Sequence, residues 1–129
     1  YTVSRCGEVL NRFQKSINGA KVLILGVAYK QDIDDYRESP ALRVIEEFQK
    51  RGADLRYYDP WVAQYKYKGE IYQGLKELST EALEKADIVV ITTAHTNVDY
   101  EMVQKYAKAI FDTKNVMKNI SNRENIEVL

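Results

Sequence analysis

The chain has 129 residues, 45% hydrophobic and 29% charged, with 19 lysines and arginines against 19 aspartates and glutamates. This length fits one domain with a hydrophobic core. A net charge of zero provides no long-range field, which argues against a nucleic-acid partner or an acidic membrane surface, so any anion site must be local. No apolar stretch approaches the roughly 20 residues that span a bilayer, and no signal peptide is recognisable. The single cysteine, Cys6, excludes an internal disulfide framework and favours a reducing cytoplasm.

The first segment is predicted to be a helix over residues 2–17, ended by Asn18-Gly19. Because the chain starts without methionine and inside this helical pattern, we expect a fragment of a longer protein. Residues Lys21–Gly26 form a short, continuous apolar strand, as in parallel sheets that are buried on both faces. The apolar stripe of the helix consists of Val3, Cys6, Val9, Leu10, Phe13 and Ile17.

The next helix begins at Ser39-Pro40, because serine is a good N-cap and proline at the first helical position loses no needed donor. Gly52 supplies its C-terminal stop. Residues 53–58, "ADLRYY", are predicted to be the second strand, which Asp59-Pro60 closes.

The second half repeats this alternation after a less regular stretch, 61–78. Ser79 or Thr80 caps a short helix through Ala86, and residues 87–93 form another continuously apolar strand. Strands that alternate with helices imply crossover connections, so the predicted fold is α/β, a Rossmann-like doubly wound parallel sheet. The remaining predicted elements are a helix capped by Asp99 and a strand at 109–112; no element is predicted in the tail.

The loop after the first strand, "GVAYKQDIDDYRESP" (26–40), lies where ligands bind in such sheets, at the carboxyl ends of the strands. It is not a dinucleotide fingerprint, because no second glycine follows Gly26, and no GK[ST] motif indicates a P-loop. An anion at this loop would therefore meet side chains: Lys30 as a point charge and Arg37 as a two-pronged donor.

Four motifs in order carry a family resemblance: "GVAYKQDIDDYRESPAL", "GADLRYYDP", "ADIVVITTAH" and "FDTKN". Together they resemble the C-terminal domain of the UDP-glucose/GDP-mannose dehydrogenase family over about residues 19–120. Residues 1–17 look like the end of the helix that leaves the family's central domain. The expected division is therefore 1–18 as that helix end and 19–129 as the nucleotide-sugar-binding domain. The D-x-D-D-x-R-E-S-P pattern resembles the UDP-N-acetylhexosamine branch.

The resemblance implies an NAD-dependent oxidation of a sugar C6 alcohol to a carboxylate, in two steps, through a cysteine thioester of the central domain. It implies that Lys30 and Lys114 bind the UDP-sugar, with Lys114 in place of the arginine of a DxR-type motif. It also implies that Arg37 reaches the NAD pyrophosphate, while the N-terminal domain holds most of the NAD. The chain itself is expected to supply no catalytic and no metal-binding residue. The longer protein is expected to be cytoplasmic and a homodimer or larger.

Several residues keep two interpretations. Cys6 is interpreted as a small core residue, not a nucleophile. The three aspartates of the loop after the first strand are interpreted as turn formers, with metal ligands as the alternative; they are Asp32, Asp34 and Asp35. Asp59 is a ribose-binding acid or an Asp-Pro turn, and His95 lines a cleft or makes a structural hydrogen bond.

Two wider alternatives remain open. The lysines and tyrosines of residues 57–72 form an aromatic cover over the sheet or a single-strand-binding surface. For the whole chain, the alternative function is a stand-alone nucleotide-binding or interaction module without catalysis. Upstream sequence with a glycine-rich Rossmann domain and a cysteine-bearing central domain would decide between the two functions.

Overall fold

A computed structural model describes all residues from 1 to 129. None of the helices has the length and apolarity needed to cross a membrane. The four helices are α1 (Thr2–Asn11), α2 (Pro40–Lys50), α3 (Thr80–Lys85) and α4 (Tyr100–Tyr106). The seven strands are β1 (Lys21–Leu25), β2 (Asp54–Tyr58), β3 (Gln64–Tyr67), β4 (Glu70–Gln73), β5 (Ile88–Ile91), β6 (Ile110–Asp112) and β7 (Ile126–Val128).

Five strands form one parallel sheet in the order β2-β1-β5-β6-β7. The chain moves from β1 outward to β2, then returns past β1 and continues outward through β5, β6 and β7. The strand order therefore reverses between β1 and β5, which is the topological switch point where ligands bind in open α/β sheets. All four residues of the central strand β5 are buried, in agreement with its continuous apolar sequence.

Both faces of the sheet are covered, which confirms the predicted doubly wound α/β fold. One hydrophobic cluster joins α1, α2 and the β3–β4 hairpin to the sheet. The other joins α3 and α4 to the opposite face. The side chains of successive strand residues point alternately into the two clusters, as in Val22 and Leu23 of β1.

Helix α1 is shorter than predicted, since it ends at Asn11 and not near residue 17. Gln14 has a φ of +61°, the N–H of Lys15 donates to the carbonyl of Leu10, and the N–H of Gln14 donates to that of Asn11. This bonding pattern is a Schellman motif, which ends a helix without a glycine. Phe13 consequently leaves the apolar stripe and is 52% exposed.

Two elements were not predicted. Within the stretch 61–78, β3 and β4 form a hairpin whose two loop residues, Lys68 and Gly69, have φ values of +50° and +84°. Positive φ at both positions is typical of a type I′ turn. The tail contributes β7, which pairs with β6 at the sheet edge.

The tyrosines of the hairpin confirm the predicted aromatic cover. The ring of Tyr65 is buried, with centroids 5.2 Å from Tyr57, 5.1 Å from Tyr72 and 5.8 Å from Tyr36. Such aromatic pairs stabilise a core beyond their buried area. The hairpin is thereby fixed to the face of the sheet that carries α1 and α2.

At Gly26, the loop after β1 packs closely against the loop after β5. Its φ is +97°, and a Cβ at this position would lie 2.7 Å from Thr93 Oγ1 and 2.8 Å from Thr93 N. Glycine is therefore needed for both the backbone conformation and the close approach of the two loops.

We predict that Gly26→Ala lowers the free energy of unfolding by about 3 kcal/mol, from left-handed strain plus overpacking against Thr93. Gly19→Ala is the matched control, because Gly19 has a φ of +82° but no atom within 4 Å of a built Cβ. In the control, the free energy of unfolding should fall by about 1 kcal/mol, from backbone strain alone. Urea unfolding of the three proteins measures the difference. Equal losses for the two variants would show that the contact with Thr93 carries no energy.

Candidate functional site

The candidate site is the carboxyl edge of the sheet around the switch point. The loops that follow β1, β2 and β5 meet there, and each contributes a polar side chain, of which those from the second and third loops are buried and that from the first is 33% exposed. These residues are Asp32 from the first loop, Asp59 from the second and His95 from the third.

Asp59 is a buried carboxylate with four donors. Its Oδ2 accepts from the N–H groups of Val27 (2.8 Å) and Ala28 (3.0 Å) and lies 2.9 Å from His95 Nε2. Its Oδ1 accepts from the N–H of Trp61 at 2.8 Å. The predicted Asp-Pro turn is present. The turn interpretation did not include the hydrogen bonds that the carboxylate makes to the loops after β1 and β5.

The pKa of Asp59 results from opposing effects. Burial alone would raise the pKa, but the hydrogen bonds from His95, Val27 and Trp61 outweigh it and lower the pKa below its ordinary value. Asp59 is therefore ionised in the folded protein at neutral pH. A buried charge is stable only when it is fully bonded, so the four donors must be held together.

His95 is 1% exposed and bonds on both sides of its ring. Its Nδ1 accepts from the N–H of Asp32 at 2.8 Å. Because a backbone N–H can only donate, the ring proton sits on Nε2 and is donated to Asp59. Of the two interpretations from the sequence, the structural hydrogen bond is confirmed.

Asp32 holds the far part of the loop against the segment after β5. Its Oδ1 accepts from the N–H of Thr96 at 2.9 Å and its Oδ2 from the Thr96 hydroxyl at 2.8 Å. These two bonds lower the pKa of Asp32. Asp32 also has a φ of +59°, which aspartate tolerates better than most residues. Asp32 therefore acts as a turn former, as one of the two sequence interpretations proposed.

Ala28 anchors the start of the same loop. Its carbonyl accepts from the hydroxyl of Thr93 at 2.9 Å and from that of Ser39 at 3.3 Å. The N–H of Tyr29 donates to the carbonyl of Asp35 at 2.6 Å, which closes the loop on itself. The loop that carries Lys30 is therefore bonded at both ends.

This edge does not fit an NAD site of the domain's own. In a dinucleotide fold the N–H groups after the first strand face the pyrophosphate, and a helix begins directly there. Here the N–H groups of Val27 and Ala28 already donate to Asp59, and α2 begins only at Pro40, where Ser39 accepts from the N–H of Ala41. Asp59 thus takes up the backbone donors that a pyrophosphate would need.

The three cations predicted from the sequence all lie in loops at this edge. Lys30 is exposed, and its Nζ lies 5.9 Å from the centre of the Tyr29 ring. Lys114 is exposed after β6, and its N–H donates to Asp112 Oδ1 at 3.0 Å. Arg37 is 83% exposed and pairs with Asp35 at 3.2 Å. Nothing in the structure tests their predicted ligands.

Cys6 lies in α1, away from this edge, and is fully buried. Burial raises the pKa of its thiol to about 12, so it is not a thiolate at neutral pH. The interpretation as a core residue is confirmed.

We predict that Asp59→Asn lowers the free energy of unfolding at pH 7 by about 3 kcal/mol, because an amide cannot accept from all four donors. Asp54→Asn is the matched control, since Asp54 is exposed in β2 and its side chain has no hydrogen bond or ion pair. The folded-state pKa of Asp59 is depressed, so its contribution is present above the unfolded pKa and is lost as the pH falls through the folded one. Thermal unfolding at pH 7 and pH 3 should show a smaller gap between wild type and Asp59→Asn at pH 3; an unchanged gap would contradict the prediction.

The sequence is similar to those of two UDP-N-acetyl-D-mannosamine dehydrogenases. UDP-N-acetyl-D-mannosamine dehydrogenase of Methanocaldococcus jannaschii is 39% identical over 112 residues, 81% of this chain and 24% of that protein. The enzyme of the same name from Pyrococcus horikoshii is 32% identical over 116 residues, 86% of this chain and 25% of that protein. The chain therefore spans about a quarter of the length of these relatives.

Solved structures share the fold. UDP-D-ManNAc dehydrogenase from Pyrococcus horikoshii matches 98% of this chain with a TM-score of 0.78 and 28% identity, and the match covers 29% of that chain. NDP-N-acetyl-D-galactosaminuronic acid dehydrogenase from Methanosarcina mazei Go1 matches 99% with a TM-score of 0.78 and 26% identity, and covers 28% of that chain. Residues 23–119 match the sequence profile of the UDP-glucose/GDP-mannose dehydrogenase family, UDP binding domain. The chain thus belongs to the UDP-glucose/GDP-mannose dehydrogenase family and comprises its UDP binding domain.

Proposed function

We propose that the chain is the nucleotide-sugar-binding part of an NAD-dependent UDP-sugar 6-dehydrogenase, which oxidises the sugar C6 alcohol to a uronic acid. The family supports this proposal, as do the relatives named as dehydrogenases of UDP-N-acetyl-D-mannosamine. In this proposal the chain is the C-terminal domain, and the longer protein is cytoplasmic and a homodimer or larger. The segment 1–18 belongs to the link from the central domain, and α1, Thr2–Asn11, is the end of that domain's last helix.

The observation that carries the proposal is the placement of Lys30 and Lys114. They follow β1 and β6, the two strands on either side of β5, so their strands lie about 10 Å apart. Neither ammonium group has a carboxylate within 4.0 Å. Two free cations on either side of the switch point suit a diphosphate placed over the end of β5.

Arg37 is proposed to contact the NAD pyrophosphate from outside its main binding site. Its partner, Asp35, is only two residues away, and an exposed ion pair of this kind is worth little, so a phosphate can replace it. The dinucleotide itself would be held by another domain, because the loop after β1 has no cradle for it. NAD, when bound there, supplies the hydride acceptor for the oxidation.

The proposed sugar is an N-acetylhexosamine, most simply N-acetylmannosamine. Both relatives described above are named for that UDP-sugar, and the D-x-D-D-x-R-E-S-P pattern of residues 32–40 points to the same branch. The proposal predicts no catalysis by this chain alone, because its one cysteine is buried in α1 and the thioester cysteine is expected elsewhere.

We predict that the 129-residue chain binds UDP, and that Lys30→Ala or Lys114→Ala weakens binding about fivefold, from the loss of one charge-assisted contact. Lys114→Arg should bind at least as tightly as wild type, because arginine adds a two-pronged donor. Calorimetric titration with UDP measures these affinities. Lys108→Ala is the matched control, since Lys108 precedes β6 at the opposite edge and should leave affinity unchanged. Equal effects of Lys108→Ala and Lys30→Ala would indicate only a general charge effect.

We predict that the chain alone forms no NADH from NAD and any UDP-sugar, whereas a longer protein that contains it does. In that longer protein, Arg37→Ala should raise the KM for NAD about tenfold and leave the KM for the UDP-sugar within twofold. Arg43→Ala is the matched control, because Arg43 is an exposed arginine in α2 without an ion pair. Steady-state kinetics with each substrate varied in turn tests the assignment. An equal rise in both KM values would show that Arg37 serves loop closure and not NAD.

A further inference from the structure

The loop that carries Lys30, residues 26–39, is hydrogen-bonded to the neighbouring loops at two positions. Its base, Val27–Ala28, donates two N–H groups to Asp59 Oδ2. Its apex, Asp32, donates its N–H to His95 Nδ1. Lys30 lies between the base and the apex, two residues from each.

The ring of His95 connects these two attachments. Its Nε2 lies 2.9 Å from the same Asp59 oxygen that accepts from the base, and its Nδ1 lies 2.8 Å from the N of the apex. Because the ring is rigid and fully enclosed, it fixes the separation between base and apex. Asp59 fixes only the base, whereas the apex is held by the imidazole, through the Asp32 N–H, and by Thr96, through the Asp32 carboxylate.

We propose that His95 is a positioning residue for nucleotide binding: it holds the loop after β1 so that Lys30 is presented to the diphosphate at the switch point. This inference rests on the proposed function, because the contact between Lys30 and a diphosphate is itself part of that proposal. His95 itself is buried under the loop and touches no ligand.

The chemistry of the two bonds explains why a histidine is needed. The site requires an acceptor for the apex N–H and a donor for Asp59, at opposite sides of one side chain. Neutral imidazole provides both, whereas a single amide side chain reaches only one of the two positions. In His95→Asn, the amide oxygen branches from Cγ as Nδ1 does and keeps the bond to Asp32. In His95→Gln, the amide nitrogen reaches toward Asp59 and the apex bond is lost.

The test compares these two variants in the 129-residue chain, with UDP as the ligand. We expect His95→Gln to weaken UDP binding about fivefold and to lose the exchange protection of the Asp32 amide, since one hydrogen bond at the apex is removed. We expect His95→Asn to keep the UDP affinity within twofold and to keep that protection. Both variants should unfold at lower temperature, so thermal stability alone does not separate them.

A double-mutant cycle tests whether His95 acts through Lys30. In a Lys30→Ala background, His95→Gln should cause no further loss of UDP affinity. An undiminished fivefold loss in that background would overturn the proposal, because His95 would then act on binding by another route.

A second variant covers the case in which His95→Gln fails to fold. Thr96→Val removes the hydroxyl bond to Asp32 at an exposed position and leaves the buried ring untouched. It should reduce protection of the Asp32 amide and weaken UDP binding about threefold. Unchanged protection and unchanged affinity in this variant would overturn the role of the apex.

The outcomes separate this inference from the proposed function. If wild type binds UDP but His95→Asn and His95→Gln have equal affinity and equal protection of the Asp32 amide, His95 is only structural and the inference is wrong. If wild type binds no UDP, the proposed function fails. In that case unequal protection still supports the loop-holding part of the inference, and equal protection overturns it.

Discussion

The buried carboxylate of Asp59 is the constraint on which the site depends. An ionised group removed from water is costly by several kcal/mol, so it persists only while its donors surround it. Those donors come from the loops after β1, β2 and β5, and no two of the loops satisfy the carboxylate alone. The charge thereby joins three loops into one unit. It also uses the backbone amides that bind pyrophosphate in a dinucleotide fold, which leaves anion binding to the side chains of Lys30, Lys114 and Arg37.

Most of the regular structure could be predicted from local sequence. Ser39 and Asp99 were predicted to begin helices, as was either Ser79 or Thr80. The side chains of Ser39, Ser79 and Asp99 each accept from a backbone N–H in the first turn. The β3–β4 hairpin was missed because its turn, Lys68-Gly69, lacks the Asn-Gly or Asp-Gly pair that signals a type I′ turn. The edge strand β7 was missed because three residues show no period, and its pairing with β6 is a long-range contact.

The candidate site was predicted only in part. Lys30 and Arg37 were found because they follow a buried strand, and the structure places both in the expected loop. The network beneath them was not found, although Asp59 and His95 were each noted as polar residues after a strand. Their sequence separation is 36 residues, and no local pattern shows that two strand ends are neighbours. The available signal was a polar residue after each of two strands, Asp59 after β2 and His95 after β5. Only the strand order, with β1 between β2 and β5, shows that these two residues can meet.

The position of α1 affects how the chain can fold during synthesis. Arg5 and Arg12 of α1 bond to Glu127 of β7 at 2.8 and 3.0 Å, and Arg5 lies 5.4 Å from the centre of the Phe111 ring. Helix α1 therefore contacts a strand whose residues follow it by 115 to 122 positions in the chain. Until residue 127 has emerged, α1 lacks its final partners, and its apolar side, including Val9, has only an incomplete sheet to cover it. Closing contacts of this sequence separation slows folding, so α1 remains open to chaperones in the nascent chain until β7 has been made.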